Sequence, residues 1–189
     1  MTNEQIIWGF IYSKLNNPYG TAGLMGNLFA ESSLNPILAN NVKKKTGLTN
    51  EQYTAAADAG VNNNFVSDGI AYGLVQWCYH TRKKALLDKA RAADKSVGDI
   101  NVQLEYMWDE LQGYKTVMKT LCAAKNVREA SDIVMLKYEK PATQTEAVKQ
   151  LRAKYGQKYF DKYYQPPTDN KIKIRLKAST AKEILKGLK

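Results

Sequence analysis

Glu31 sits where a solvent-facing glutamate should not. In the stretch 21–36, TAGLMGNLFAESSLNP, the spacing predicts a helix. Thr21 is its expected N-cap after a turn at NNPYG, and Pro36 its expected stop. At about 100° per residue, Leu28 falls about 40° from Leu24, and Glu31 about 20° to the other side. Glu31 therefore lies inside the apolar stripe, whereas a surface helix carries its glutamates on the opposite face. Burial and the negative end of the helix dipole both favour the protonated form of a carboxyl so placed. That form is what a general acid must hold until a reacting oxygen takes the proton. An isolated buried Glu is more often bonded to a backbone amide or a basic side chain, so the reading depends on the rest of the chain. Forty residues on, residues 71–77, AYGLVQW, gather glycine, amide and aromatic groups beside two candidate carboxylates, Asp68 and Asp58.

The elements that must hold these residues are mostly helical. Thr2 to Gln5 fits a capping box before Ile6, Ile7, Phe10 and Ile11, which predicts a first helix to about Leu15. A second capping box, Thr49 to Gln52, opens a short Ala-rich helix that Gly60 should close. The Asn- and Gly-rich stretch VNNNFVSDGIAYGLVQW reads as a small hairpin or irregular lobe. Helices are expected again from Thr81, at Ile100 to Leu111, at 117–124, around Ala130 to Tyr138 and after Thr143, the last with Ala147, Leu151 and Tyr155 on its inner face. QPPTDN marks a linker at 165–170. The basic segment 171–189 is too short to fold alone: it reads either as the start of a truncated wall-binding domain or as an edge strand and helix docking on the catalytic domain at 1–164, and the alternation in KIKIRLK favours the first.

The order of helix, carboxylate, polar lobe and glycine-containing box has a known counterpart. Residues 31–36, ESSLNP, resemble the box that carries the catalytic acid in lytic transglycosylases and goose-type lysozymes. Residues 71–76, AYGLVQ, resemble their second box. With Trp77, RKKALL at 82–87 and YEKP at 138–141, the chain is most similar to the phage tail lysozyme family over about residues 4–164. The resemblance implies a mainly α, lysozyme-like α+β fold: a helical bundle around the Glu31 helix with a small lobe beside it. It implies cleavage of the peptidoglycan glycan strand between N-acetylmuramic acid and N-acetylglucosamine, by an endolysin or tail lysin, with Glu31 as general acid. Lytic transglycosylase chemistry on the same bond and a non-catalytic wall-binding module are the alternatives. Against the binder, a buried acid brings a pure binding module no benefit.

Within that frame each residue has an expected part. Ser32 would bond the carboxyl or a water near it. Gly73 would let the backbone approach a saccharide, and Gln76 offers a donor and an acceptor for an N-acetyl or hydroxyl group. Tyr72 and Trp77 would stack on sugar faces, although a large aromatic beside Leu74 also suits the core. A second carboxylate belongs about 5 Å away for retention or about 6.5–9.5 Å for inversion. Asp68 is the leading candidate and Asp58 the weaker one. Tyr138 and Glu139 fall where the transglycosylases have a Tyr-containing third box, but the usual AYN is absent.

Composition narrows the partners. The chain has 189 residues, 28 Lys/Arg against 18 Asp/Glu, and a net charge of +10. Half that excess lies after residue 165. A basic protein suits a polyanion, here the anionic polymers of a Gram-positive wall. No helix combines dense Lys/Arg with base-reading side chains, which argues against nucleic acid. His80 is the only histidine, and Cys78 and Cys122 form no metal-ligand pattern, so neither metal nor organic cofactor is expected. No apolar run reaches membrane-spanning length, and MTNEQIIWGF lacks a signal-peptide pattern. The expectation is a monomer made in the host cytoplasm and delivered to the wall by holins or on the virion tail.

Overall fold

The computed structural model describes residues 1–61 and 64–164; the expected linker and the segment 171–189 lie outside the described residues. The fold is mainly helical. Helix α1 (Asn3–Leu15) opens with the expected capping box and buries Ile7, Trp8, Ile11 and Leu15. Helix α2 (Pro18–Ser32) starts three residues before the expected cap. Asn17 is the N-cap, its Oδ1 accepting from the amides of Tyr19 and Gly20, and Pro18 takes the first helical position, where no amide is needed. Thr21 is instead buried inside the helix, donating to Asn17 O at 2.8 Å.

Around α2 stand α3 (Val42–Thr46), α4 (Asn50–Asp58), α5 (His80–Ala92), α6 (Ile100–Gln112), α7 (Lys115–Ala123), α8 (Val127–Val134) and α9 (Glu146–Tyr163), with a π-helical turn, Met135–Glu139, continuing α8. Every residue of α2 from Gly20 to Leu28 is buried, as in a helix apolar on all sides. Three glycines let the neighbours approach. A Cβ on Gly20 would fall 2.0 Å from Leu121 O of α7, one on Gly23 2.5 Å from Ala130 Cβ of α8, and one on Gly26 2.5 Å from Gly156 N of α9. The α2–α9 contact is thus backbone against backbone. It turns α9 so that Arg152, Gly156 and Tyr159 face inward, while Ala147 and Leu151 are exposed and Tyr155 is half-buried, contrary to the apolar-face expectation.

The lobe expected as a small hairpin or an irregular segment forms no strand among its described residues, so the hairpin alternative is not shown. It is a series of turns fastened by two isolated antiparallel bridges, Ala39 to Tyr72 and Tyr72 to Trp77. Residues 72–77 close a tight loop, with Tyr72 and Trp77 exchanging backbone hydrogen bonds of 3.0 and 2.9 Å. Gly73 N donates to Leu38 O and Asn40 N to Ala71 O, both at 2.9 Å, which docks the loop on the segment after α2. Among the described residues no helix is long and apolar enough to cross a membrane.

Candidate active site

Glu31 is in the last turn of α2. The helix ends before Pro36 is reached, because Ser33 and Leu34 take left-handed conformations with φ of 52° and 61°. Two successive non-glycine residues in that region store about 1 kcal/mol or more each. Burial of Leu34 and a 3.0 Å bond from Asn3 Nδ2 to Leu34 O hold the reversal. Arg152 Nη2 donates to Glu31 Oε1 at 2.6 Å, with the two side chains 9% and 20% exposed. Arg152 Nη1 reaches Asn27 Oδ1 at 3.1 Å, and Asn27 Nδ2 donates to Gly23 O and Ser131 O. At rest Glu31 is one end of a buried chain, Glu31–Arg152–Asn27–Ser131, spanning α2, α9 and α8. Its expected helix-buried acid is an ion pair.

Ser32 joins the two boxes. Its hydroxyl lies 3.0 Å from Leu28 O and 3.0 Å from Leu74 O, in the middle of 71–77. Gln103 of α6, fully buried, completes the joint: its Oε1 accepts from Leu74 N at 2.9 Å, while its Nε2 donates to Pro36 O at 2.7 Å and Val97 O at 2.8 Å. One amide thus clamps both boxes to α6. Sequence reasoning missed it; the signal was a Gln one position before Leu104, inside the apolar stripe of α6.

The second box is arranged more for scaffolding than the expectations held. Gly73 has φ +77°, and a Cβ there would meet Gln103 Oε1 at 2.6 Å, so the clamp already accounts for the glycine. Gln76 Nε2 donates to Leu38 O and Gly73 O. Tyr72 and Trp77 are fully buried, so neither ring offers a face to a sugar. Tyr72 pairs its hydroxyl with Thr54 at 2.8 Å. Trp77 Nε1 donates to Glu110 Oε2 at 2.8 Å.

Glu110, also missed from sequence, is a hub. It accepts from Arg82 Nε at 2.6 Å, Arg82 Nη2 at 2.8 Å and Tyr138 OH at 2.8 Å as well as from Trp77. Burial works against its charge, but the bonds and charge of Arg82, with Trp77 and Tyr138, hold its carboxyl below the usual range. Burial and the Glu110 and Glu139 carboxyls push the Tyr138 phenol well up, so it remains a donor. Beside it, Glu139 ends the π-helical turn with Oε1 sealed from solvent and bonded to nothing. Burial first, then the charge of Glu31, drives the Glu139 carboxyl well above the ordinary value.

Asp68 is in a different setting. Its oxygens accept from Lys83 Nζ at 2.8 Å, Tyr53 OH at 2.7 Å and Ile70 N at 2.9 Å. Lys83 is fully buried and also donates to Ile70 O, so Asp68 balances an interior cation and ties α4 and α5 to the lobe. Asp58 accepts from Ser96 Oγ and Val97 N, closing the turn before α6. Neither is hydrogen-bonded to Glu31 or its partners. Among the described residues there is no group of three or more His, Cys, Asp or Glu that could hold a metal ion.

No curated protein matches the chain. The family profile of the phage tail lysozymes matches residues 2–163, nearly all of the described fold and both boxes. The chain therefore belongs to the phage tail lysozyme family, whose lysozyme-like activity is the lysis of peptidoglycan.

Proposed function

We propose that the chain cleaves the glycan strand of peptidoglycan between N-acetylmuramic acid and N-acetylglucosamine, with Glu31 as general acid. The observation that carries this is the Ser32 to Leu74 contact of 3.0 Å, which fastens the carboxylate-bearing end of α2 to the second box from 42 residues away. Such anchoring holds an acid in one geometry, as a proton donor to a glycosidic oxygen requires. When the C1–O bond breaks, the oxygen takes the proton and the sugar becomes oxocarbenium-like. Arg152 keeps Glu31 in place before the reaction and steadies the carboxylate after it has given up its proton.

The structural bonds of Asp68 favour a route in which it is not the second catalytic carboxylate. Water, or the substrate's own 6-hydroxyl, would then capture the cation. Mass spectrometry of released fragments separates them: reducing ends mean hydrolysis and anhydro ends mean lytic transglycosylation. Fragments cut on the other side of the disaccharide would overturn the assigned bond. In this reading the half-buried Gln76 is left for the substrate-facing region, while Ser32 and Gly73 hold the two boxes together and Tyr138 stands behind them as part of the Glu110 hub. The wall substrate fits a basic, monomeric endolysin or tail-borne lysin of a phage infecting a Gram-positive host.

A further inference from the structure

The structure holds two Arg–Glu pairs of different form. Arg82 meets Glu110 as a fork, Nε donating to Oε1 at 2.6 Å and Nη2 to Oε2 at 2.8 Å, so both carboxylate oxygens are engaged. Arg152 meets Glu31 through a single bond, Nη2 to Oε1 at 2.6 Å. Its Nε is buried and bonded to nothing. Glu31 Oε2 accepts from no group among the described residues and is not sealed from solvent. A buried N–H without an acceptor is unfavourable, and the two-bond fork is the stronger form of such a pair. Closing onto Oε2 would be the default for Arg152, and Asn27 stands in its way. Asn27 is fully buried, and its Oδ1 accepts from Arg152 Nη1 at 3.1 Å. Its Nδ2 faces the carbonyl oxygens of Gly23 at 2.9 Å and Ser131 at 3.1 Å, so the amide can offer only its oxygen to the guanidinium. The planar guanidinium is held at Nη1 as well as at Nη2, and cannot turn its Nε edge onto Glu31 without breaking the Asn27 bond.

We propose that Asn27 is a positioning residue for the reaction: by holding Arg152 Nη1 it keeps the Arg152–Glu31 pair to one bond, and so leaves Oε2 as the oxygen that carries and delivers the proton. The inference rests on the reading of Glu31 as general acid. A fork aims N–H groups at both oxygens and fits only the carboxylate, because a protonated oxygen would set a donor against a donor. A single bond to Oε1 fits both forms. In the acid form Oε1 is the carbonyl oxygen, accepting from Arg152, and Oε2 bears the hydrogen. That proton passes to the glycosidic oxygen, which also takes the electron pair of the breaking C1–O bond. Glu31 is left as a carboxylate with Arg152 still on Oε1. When water or the 6-hydroxyl adds to C1, the proton it loses returns to Oε2. Asn27, fully buried, meets no substrate and acts through Arg152.

The test is kcat and KM on soluble peptidoglycan fragments for the native chain, Asn27→Leu, Asn27→Asp and Glu31→Gln, with melting curves to show folding. Leucine fills the space of Asn27 but accepts nothing, which frees Nη1 and lets the fork close. Asn27→Leu should lose about tenfold or more in kcat with KM within about twofold of native, since the proton transfer suffers and the binding of substrate does not. Asn27→Asp keeps an acceptor for Nη1 and should stay within about threefold of native kcat. A folded Asn27→Leu with native kcat, a loss that falls on KM, or a loss of the same size in Asn27→Asp overturns the inference. Should either Asn27 variant not fold, the proton–nitrogen NMR spectrum of the native protein decides. The Nε–H signal of Arg82 should be displaced downfield by its carboxylate and that of Arg152 should not; matching displacement of both overturns the inference. Full activity in Glu31→Gln would instead overturn the reading of Glu31 itself.

Discussion

Arg152 and Glu31, 121 residues apart in sequence, meet at 2.6 Å in the interior of the α2–α9 contact. The meeting depends on glycines. Gly26 and Gly156 let the two backbones touch, and that approach turns Arg152 inward beside the last turn of α2. Replacing Arg152 by Met leaves Glu31 without its cation and Asn27 Oδ1 without a donor. Breaking such a largely buried pair should destabilise by about 2 kcal/mol, since Glu31 keeps some solvent. Thermal melts should show a fall of roughly 4–8 °C. Adding Glu31→Gln should recover part of the loss, because the orphaned charge is removed with it.

Asp68 is predicted to matter for stability more than for chemistry. Asp68→Asn strips the counter-charge from Lys83, which is fully buried. Burial already holds the Lys83 ammonium below its usual range, against the opposing pull of Asp68. The loss should be about 3 kcal/mol in denaturant titrations. Clearing measured well below the melting point should stay within about threefold of native, far short of a general acid–base loss. A large rate loss with unchanged melting would return Asp68 to the chemistry.

Glu139 should make stability depend on pH with a definite sign. Its folded carboxyl titrates well above the ordinary value of 4.5, so between that value and its folded value the native state holds a proton that the unfolded state has released. Stability from this group is complete below about pH 4.5 and declines as pH rises. The slope reaches about 1.4 kcal/mol per pH unit. Glu139→Gln removes it. The melting temperature of the variant relative to native should therefore climb from pH 5 towards pH 8, and a constant difference would argue against a buried neutral acid.

How much of this was legible in the sequence follows from what each residue touches. The cap at Thr2, the helix carrying Glu31 and the second box were readable, because each is a local pattern of side-chain type and spacing. The start of α2 was misread because Pro18 suits a turn and a first helical position equally, and only the Asn17 cap decides. The inner face of α9 was misread because apolar residues were assumed to face inward. Glycine-mediated approach put Gly156 and Arg152 there, and a glycine inside an otherwise regular helix was the available signal. The aromatic pair Tyr72 and Trp77 suited a sugar platform by type, but two-residue bridges and the Glu110 hub draw both into the core. Gln103, Glu110 and Arg152 were invisible as partners because their acceptors and donors come from distant segments.

The net charge of +10 predicts salt sensitivity on anionic walls. Clearing of Gram-positive walls should weaken above roughly 0.2 M salt, where the screening length drops below about 8 Å. Walls stripped of anionic polymer should show a flatter profile. Equal salt response on both wall preparations would remove the polymer from the account.

The central claim is that Glu31 delivers the proton. The most direct measurement compares turbidity loss of purified walls by the native chain and by Glu31→Gln, with melting curves to show that both are folded. The account predicts a loss of at least about a hundredfold in clearing for the folded variant. Equal clearing by the two proteins would contradict it.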